Sequence, residues 1–148
     1  MPEIRILGSS DETVLRNVAS GVFDHDLNPA LVAEFLRDER HHLAVAIEDG
    51  AVIGFASGVH YVHPDKPAEL WINEVGVAPD HHRRGVGKAI IEALLQHAKA
   101  LGCHEAWVLT DRTNHAAMRL YASTGGREAP HDQVMFTYFL EKGVGGRV

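Results

Sequence analysis

The sequence contains only one cysteine, Cys103, among its 148 residues. One thiol can form no internal disulfide and cannot supply the several thiolates of a structural zinc site. No apolar run approaches the roughly 20 residues that a membrane-spanning helix needs. The N-terminus, Met1-Pro2-Glu3-Ile4, also lacks the basic and then apolar pattern of a secretory signal. We therefore expect a cytoplasmic protein without membrane partners, in which Cys103 is inert.

Positive charge is also scarce, since 14 Lys and Arg residues face 20 Asp and Glu residues and give a formal net charge of −6. This balance disfavours nucleic acid as a partner and favours a cationic one. The composition is 45% hydrophobic and 23% charged, which is ordinary for a globular protein. There is no repeat, linker or low-complexity segment. We expect one domain over residues 1–142 and a flexible tail over residues 143–148.

Hydrophobic periodicity predicts six strands and four helices in the order β-α-α-β-β-β-α-β-α-β. The predicted strands are 4–7, 43–48, 51–60, 70–78, 105–110 and 133–140. One helix is expected after the capping-box pattern Ser9-x-x-Glu12, with Val14, Leu15, Val18 and Val22 buried. The others begin at Pro29 after the N-cap Asn28 (burying Leu31, Val32, Phe35 and Leu36), at Gly85 and at Asn114.

These elements predict an α/β (α+β) fold. Strands joined by hairpins, such as the one with Asp49-Gly50 at its turn, are antiparallel. The strand-helix-strand unit around Gly85 should be a right-handed parallel crossover. The result is a mixed, mostly antiparallel sheet that is flanked by helices.

Residues 82–88, which we name the glycine loop, join a predicted strand to a predicted helix. They are His82, Arg83, Arg84, Gly85, Val86, Gly87 and Lys88. Glycines let a backbone approach a ligand closely, and the first N–H groups of a helix are unpaired and partly positive. With three cationic side chains added, the loop is suited to a phosphate or pyrophosphate.

Two common phosphate-binding patterns do not fit the glycine loop. A P-loop requires glycine where His82 stands and serine or threonine where Ala89 stands. The dinucleotide pattern G-x-G-x-x-G fits Gly85 and Gly87 but meets Ile90 at its third glycine. An ordinary basic helix start remains as an alternative.

Four segments resemble the GNAT N-acetyltransferases. Residues 73–79 resemble the strand before the acyl-CoA loop of this family, and residues 82–87 resemble the loop itself, Arg/Gln-x-x-Gly-x-Gly/Ala, with His82 at its first position. Asn114, Ala117, Tyr121 and Gly125 fit the family pattern N-x-x-A-x-x-x-Y-x-x-x-G. Residues 132–136, with Glu74 and the residues after it, resemble the small aminoglycoside 3-N-acetyltransferases.

The resemblance implies splayed central strands that hold acyl-CoA, acetyl-CoA as the acetyl donor, and a homodimer. It assigns CoA contacts to thirteen residues: Val75, Gly76, Val77, His82, Arg83, Arg84, Gly85, Val86, Gly87, Lys88, Asn114, Ala117 and Tyr121. For Asn114, capping of its helix is an equal alternative. Arg83 and Arg84 are expected to carry the charge of the loop, while His82 braces it.

Acetyl transfer to an amine requires a base, an oxyanion donor and an acid. Glu74 is the candidate base; we expect it on the strand face of Leu70 and Ile72, partly buried, with a raised pKa. Trp71 and Asn73 are then expected on the other face, with Trp71 in the core. The family implies Tyr121 as the acid, and the N–H of Val75 is the candidate oxyanion donor. A structural carboxylate and a core aromatic are the alternatives for Glu74 and Tyr121.

The candidate acceptor-binding residues are Asp24, Asp26, Glu74 and Asp132, whose carboxylates suit a cationic amine. Solvated turn residues are the alternative for the three aspartates. The histidine clusters, which are His41-His42, His60-x-x-His63 and His81-His82, match no zinc-protease helix, so we expect surface histidines and no metal.

The predicted function is acetyl-CoA-dependent N-acetylation of a small cationic amine, with an aminoglycoside (at its 3-N position) as the candidate. Protein, peptide or polyamine N-acetylation is the first alternative. A non-catalytic acyl-CoA-binding domain is the second, and it would need neither Glu74 nor Tyr121.

Overall fold

The computed structural model describes residues 1–129 and 132–141 of the chain. Five strands form one sheet in chain order: β1 (Glu3–Leu7), β2 (His41–Glu48), β3 (Ala51–Tyr61), β4 (Glu69–Val77) and β5 (Glu105–Val108). Three α-helices accompany the sheet: α1 (Pro29–Arg37), α2 (Val86–Ala100) and α3 (His115–Ser123). Two short 3₁₀ helices cover Glu12–Arg16 and Pro79–His81.

The sheet is mixed, as predicted. β1 to β4 pair antiparallel, whereas β4 and β5 are parallel and are connected through α2. At the turn between β2 and β3, Asp49 and Gly50 have positive φ values of 52° and 77°. Two successive positive φ values are typical of the tight turn whose twist matches antiparallel strands. The predicted hairpin is therefore confirmed.

Each face of the sheet is covered by its own hydrophobic cluster. On one face, Ile90 and Leu94 of α2 are fully buried against Leu70 and Ile72 of β4. On the other face, α1 and the first 3₁₀ helix bury Leu36 and Leu15 against the sheet, which contributes Val45 and Phe55 to that cluster. Because each fully buried side chain of this size contributes about 1.5–3 kcal/mol, packing on both faces stabilises the sheet, in which β4 contributes Leu70 and Ile72 to the cluster under α2.

The start of α1 follows from its sequence. The Asn28 side-chain oxygen accepts hydrogen bonds from the N–H groups of Ala30 (2.9 Å) and Leu31 (3.2 Å), and Pro29 occupies the first helical position. This confirms the predicted cap. Leu31, which we expected to be buried, is 61% exposed.

The helix predicted from Ser9 through Val22 is wrong, because only Glu12–Arg16 form a short 3₁₀ helix. The segment after it is extended alongside β3: the N–H of Val52 donates to Asn17 (2.9 Å), and the N–H of Ala19 donates to Val52 (2.9 Å). A backbone used in this bridge cannot also form helical hydrogen bonds. Tertiary pairing therefore overrides the helical pattern.

A β-bulge interrupts β4 next to the candidate base. Glu74 pairs with Ser57 of β3 and Ile72 pairs with Gly58, so Asn73 has no partner of its own in β3. One extra residue reverses the alternation of side chains along the rest of a strand. Glu74 therefore shares its face with Trp71, and the prediction that it shares a face with Leu70 and Ile72 is wrong.

Trp71 also differs from the prediction. It is 39% exposed, and its ring stacks on that of Trp107 in β5 with centroids 5.1 Å apart. Ordinary alternation with Leu70 and Ile72 places Trp71 on the α1 face of β4, but outside both hydrophobic clusters. The two stacked tryptophan rings thus lie side by side on one face of the β4–β5 pair.

The strand predicted over residues 133–140 is wrong. Residues 132–141 belong to none of the five strands, and their large apolar side chains are exposed: Val134, Met135, Phe136, Tyr138, Phe139 and Leu140. A strand requires a neighbour for its backbone hydrogen bonds, and this segment has none among the described residues. The predicted tail, residues 143–148, lies outside the described residues.

We expected surface histidines, but three of them form a row, His60-His42-His97, with the buried His42 at its centre. His42 is only 5% exposed; its Nε2 lies 2.7 Å from Nδ1 of His60, and its Nδ1 lies 3.0 Å from Nε2 of His97. Burial, followed by the nearby imidazoles of His97, His60 and His41, lowers the pKa of His42 to about 4, and Asp38 opposes this shift. The two partners use different nitrogens of His42, so the row cannot bind one metal ion through all three rings.

Two further absences hold for the described part of the chain. No helix there combines the length and apolar character that crossing a membrane requires. No group of three or more histidine, cysteine, aspartate or glutamate side chains there is placed to hold a metal ion.

Stability should fall as the pH drops from about 6.5 to about 4. The unfolded chain protonates His42 near its ordinary pKa of 6.5, whereas the folded chain resists protonation until about 4, so acid favours unfolding. We expect a loss of about 2 kcal/mol in the free energy of unfolding, measured by urea denaturation across this range. His42→Gln should flatten this dependence, and His104→Gln, at an exposed position, should leave it unchanged. Equal profiles for the wild type and His42→Gln would contradict the assignment.

Gly76→Ala should destabilise the fold. A Cβ atom at Gly76 would overlap the carbonyl oxygen of Val22 and lie 2.8 Å from the ring of Phe55. We expect the free energy of unfolding to decrease by about 2 kcal/mol, since neither neighbour is a flexible side-chain end. Gly8→Ala is the matched control, because its Cβ would meet only the Asp11 side chain at 3.8 Å. Equal unfolding midpoints for the two variants would disprove the close approach.

Candidate active site

The two parallel strands separate where β5 ends. Their pairing stops at Ile72 and Val108, and no described strand continues it along residues 73–77 of β4. A cavity of about 750 Å³, which we name the β4–β5 cavity, lies along this stretch. It brings together ten of the predicted CoA-contacting residues: Val75, Val77, His82, Arg83, Gly85, Val86, Gly87, Asn114, Ala117 and Tyr121.

The start of α2 presents unpaired N–H groups at this cavity. Gly85 is the N-cap with a φ of 78°, and its carbonyl accepts the first helical hydrogen bond from Ala89 (3.1 Å). The N–H groups of residues 86–88 have no backbone acceptor in the described ranges. Together with the partial positive charge of a helix start, they can bind an anionic group.

His82 braces the glycine loop against the sheet. Its Nε2 lies 2.7 Å from the carbonyl oxygen of Val77, to which it can donate a hydrogen bond. Arg83, next in sequence, adopts a left-handed backbone with a φ of 63°. This conformation is uncommon for a non-glycine residue, so the turn requires support from its surroundings. The bond from His82 thus fastens the loop at the end of β4.

The cationic side chains of the loop do not all face the cavity. Arg84 lies 3.8 Å from Glu48 and Lys88 lies 3.9 Å from Glu92, and neither Arg84 nor Lys88 lines the cavity. Arg83 does line it, and so does Arg119 of α3, which the sequence analysis did not identify. The signal for Arg119 was weak, because it occupies a variable position inside the Asn114–Gly125 pattern.

Both ends of α3 are fixed by local hydrogen bonds. Asn114 caps the helix by accepting from the N–H of Ala117 (3.1 Å), so its capping role is present whatever else it binds. At the other end, the N–H of Gly126 donates to Tyr121 (2.8 Å) and the N–H of Gly125 donates to Ala122 (3.2 Å). This pair of bonds is a Schellman motif, which ends the helix just after Tyr121.

Tyr121 is held as a neutral phenol at the β4–β5 cavity. Its side chain packs beside the α2 cluster, and burial raises the pKa of its hydroxyl above the ordinary value. A higher pKa keeps the proton on the oxygen at neutral pH. The hydroxyl therefore carries its proton and can donate a hydrogen bond to a group bound in the cavity.

Glu74 faces a second cavity, of about 420 Å³, on the α1 side of the sheet; we name it the α1 cavity. Asp24 and Asp26 line the same cavity, so the structure brings three of the four predicted acceptor-binding carboxylates together. Asp132 is exposed and lines neither cavity. Glu74 itself is exposed, so the expected partial burial is wrong.

The sequence does not identify several residues of the α1 cavity as functional residues. Ser57 lies opposite Glu74 in the β3–β4 ladder, and Phe23, Phe35 and Phe55 contribute aromatic walls. They come from three separate parts of the chain, which are the segment before α1, α1 itself and β3, so no single local pattern connects them. Their apolar periodicity identified core positions only.

Gly76 and the bulge show how one strand contributes to both cavities. Val75 and Val77 line the β4–β5 cavity, whereas Glu74 lines the α1 cavity and Gly76 faces Val22 on the α1 side. A carboxylate that can accept a proton and a phenol that can donate one are thus placed on opposite sides of β4. Residues 74–77 remain paired with β3, but beyond Ile72 the opposite edge of β4 has no paired strand among the described residues and is available to an extended ligand.

The chain matches known acetyltransferases in sequence. The model of the Acetyltransferase (GNAT) family matches residues 13–125. An uncharacterized N-acetyltransferase of Mycobacterium tuberculosis is 31% identical over 109 residues, covering 74% of this chain and 67% of that protein. The N-alpha-acetyltransferase RimI of the same organism is 32% identical over 104 residues, covering 70% and 63%. A mycothiol acetyltransferase of Thermomonospora curvata is 33% identical over 125 residues, covering 78% and 40%, so the match spans less than half of that protein.

Solved structures share the fold over nearly the whole chain. An aminoglycoside acetyltransferase from an uncultured soil metagenomic sample, in complex with trehalose, has a TM-score of 0.77 at 20% identity, covering 94% of this chain and 96% of that one. The aminoglycoside N-acetyltransferase AAC(6')-Iy, in complex with CoA, has a TM-score of 0.73 at 25% identity, covering 95% of each chain. With the family match over most of its length and the opening between β4 and β5, the chain belongs to the GNAT family of N-acetyltransferases.

Proposed function

We propose that the protein transfers the acetyl group of acetyl-CoA directly to the primary amine of a small cationic acceptor. The observation that carries this proposal is the arrangement around residues 73–77 of β4: a strand edge that β5 no longer pairs, with Glu74 in one cavity and Tyr121 in the other. Acetyl donor and amine would approach the same strand from its two faces and meet at the bulge.

Acetyl-CoA would occupy the β4–β5 cavity. Its pyrophosphate would bind the N–H groups at the start of α2 and the guanidinium groups of Arg83 and Arg119. Its pantetheine amides would pair with the free edge of β4, as a peptide adds to the edge of a sheet. The CoA complex of AAC(6')-Iy supports this donor.

The reaction would proceed by direct attack of the amine on the thioester. The acceptor arrives as an ammonium, since alkyl amines have a pKa of about 10, and Glu74 accepts its proton directly or through one water. The neutral amine attacks the thioester carbon, and the N–H of Val75 stabilises the resulting oxyanion. The carbon–sulfur bond then breaks, and Tyr121 donates its proton to the CoA thiolate. The attacking nitrogen loses its second proton, which returns through solvent to the Tyr121 phenolate and leaves the neutral acetylated amine.

The acidic side chains of the α1 cavity support a cationic acceptor. Asp24 and Asp26 are exposed at this cavity, beside Glu74, and would attract an ammonium group. An aminoglycoside is the candidate that the similar aminoglycoside acetyltransferase structures suggest. A peptide N-terminus is the candidate that the similarity to the N-alpha-acetyltransferase suggests.

Three expectations from the sequence stay predictions: the domain boundary at residue 142, the cytoplasmic location and the homodimer.

Replacing Glu74 and Tyr121 tests the chemical roles. Glu74→Gln removes the proton acceptor and should lower kcat by about 100-fold at saturating acceptor, with unchanged acetyl-CoA affinity because Glu74 lies outside the β4–β5 cavity. Tyr121→Phe should lower kcat by about tenfold or more. Both are measured by thiol release, with Glu39→Gln, at an exposed position, as the control. Unchanged turnover in Glu74→Gln would remove the base assignment, and acetyl-CoA binding without turnover of any amine would favour the non-catalytic alternative.

Replacing His82 tests the brace of the glycine loop. His82→Ala removes the hydrogen bond to Val77 and should raise the Kd for acetyl-CoA by about 3- to 10-fold, since one such bond contributes about 1 kcal/mol. Calorimetry measures the affinity. His104→Ala is the matched control, because the imidazole of His104 also contacts a carbonyl, that of Ala68 at 3.2 Å, away from the loop. Wild-type affinity in His82→Ala would refute the bracing role.

A further inference from the structure

The walls of the α1 cavity are mostly apolar. Phe23 and Phe55 stack with ring centroids 4.0 Å apart, and both line the cavity. α1 contributes Leu31, Val32 and Phe35. Leu31 is 61% exposed, which places it at the opening. Leu31 therefore presents apolar surface at the opening, while Phe55, at 3% exposed, forms a buried part of the wall.

Polar side chains line a smaller part of this cavity than apolar ones; they are Asp24, His25, Asp26, Asn28, Ser57 and Glu74. The Asn28 side-chain oxygen is already used in the cap of α1. Ser57 is buried and lies directly opposite Glu74, where side chains of paired strands are about 5 Å apart. A single ammonium group can therefore lie between the Ser57 hydroxyl and the Glu74 carboxylate. Asp24 and Asp26 are exposed and belong to the loop before α1. They attract cations from solvent without providing an enclosed polar surface.

Apolar walls with few polar side chains favour amines with apolar bodies over amines that carry many hydroxyl groups. Hydroxyl groups around the reacting amine would lose water against Phe23, Phe35 and Phe55 and would find few partners there. Apolar groups would instead gain from leaving water. The cavity, at about 420 Å³, is within the size range of small-molecule sites.

Building on the proposed acetyl transfer, we infer that the acceptor is a small primary amine whose amino group is attached to an aromatic or branched aliphatic body. Ser57 and Glu74 bind the amino group, and Leu31, Phe35 and the Phe23–Phe55 pair bind the body. This narrows the cationic acceptors proposed above, because a polyhydroxylated polyamine meets the acidic opening but not the apolar walls.

A matched panel of amines tests the inference. 2-Phenylethylamine and 3-methylbutylamine represent apolar bodies; kanamycin, spermidine and an alanine-led peptide represent the other classes. We expect kcat/KM for the two apolar amines to exceed that of each of the others by about tenfold or more, measured by thiol release at saturating acetyl-CoA.

Two lysine variants then test whether the acceptor body contacts the α1 cavity. Leu31→Lys adds a cation at the opening of the α1 cavity and should raise KM for 2-phenylethylamine by about tenfold, with an unchanged KM for acetyl-CoA. Val62→Lys is the matched control, because Val62 is 62% exposed and does not line the α1 cavity. Both positions are exposed, so both variants should fold.

The two proposals fail in different ways. A higher kcat/KM for kanamycin, spermidine or the peptide would overturn the apolar acceptor and leave acetyl transfer intact. Equal effects of Leu31→Lys and Val62→Lys would also overturn it, since the cavity would then not contact the acceptor body. Binding of acetyl-CoA without thiol release from any amine in the panel would overturn the proposed function itself.

Discussion

The candidate site depends on how β4 changes its partners at Asn73. On one side of the strand, pairing with β5 ends at Ile72; on the other side, the bulge inserts one residue into the pairing with β3. The first change exposes a strand edge that an extended ligand can use. The second change turns Glu74 to the α1 face and returns Val75 to the α2 face. A regular strand would have placed the carboxylate in the apolar cluster under α2, without access to the α1 cavity.

Such a strand end is costly unless it is held from other directions. The N–H of Ala78 donates to Ile53 at 2.8 Å, so β3 continues to support the chain beyond the bulge. His82 contacts the carbonyl of Val77, and the absence of a side chain at Gly76 lets the Val22 backbone approach closely. These contacts replace the support that β5 no longer provides. They also connect the glycine loop, the segment before α1 and β4, so a shift in one displaces the others.

The sequence predicted features that depend on near neighbours. The Asn28 cap, the Asp49-Gly50 turn and the start of α2 at Gly85 need only a few adjacent residues, and all three are present. The predictions failed where pairing between distant segments determines the local structure. Pairing with Val52 replaced the first helix, and residues 133–140 lack a described partner strand. The face of Glu74 was wrong because period-two alternation was assumed, and no residue type at Asn73 marks a bulge.

The same distinction separates the two halves of the candidate site. In the proposed reaction, the donor half would come largely from two continuous segments, residues 73–88 and 114–121, because CoA is a constant ligand that a local pattern can bind. The proposed acceptor half combines Phe23, Phe35, Ser57 and Glu74, which only the fold brings together. Relatives at 31–33% identity can therefore share the donor pattern while their names indicate different acceptors, as mycothiol acetyltransferase and N-alpha-acetyltransferase do. In the proposed reaction, a net charge of −6 and an acidic cavity opening would attract amines in general, so discrimination among amines would come from the apolar walls.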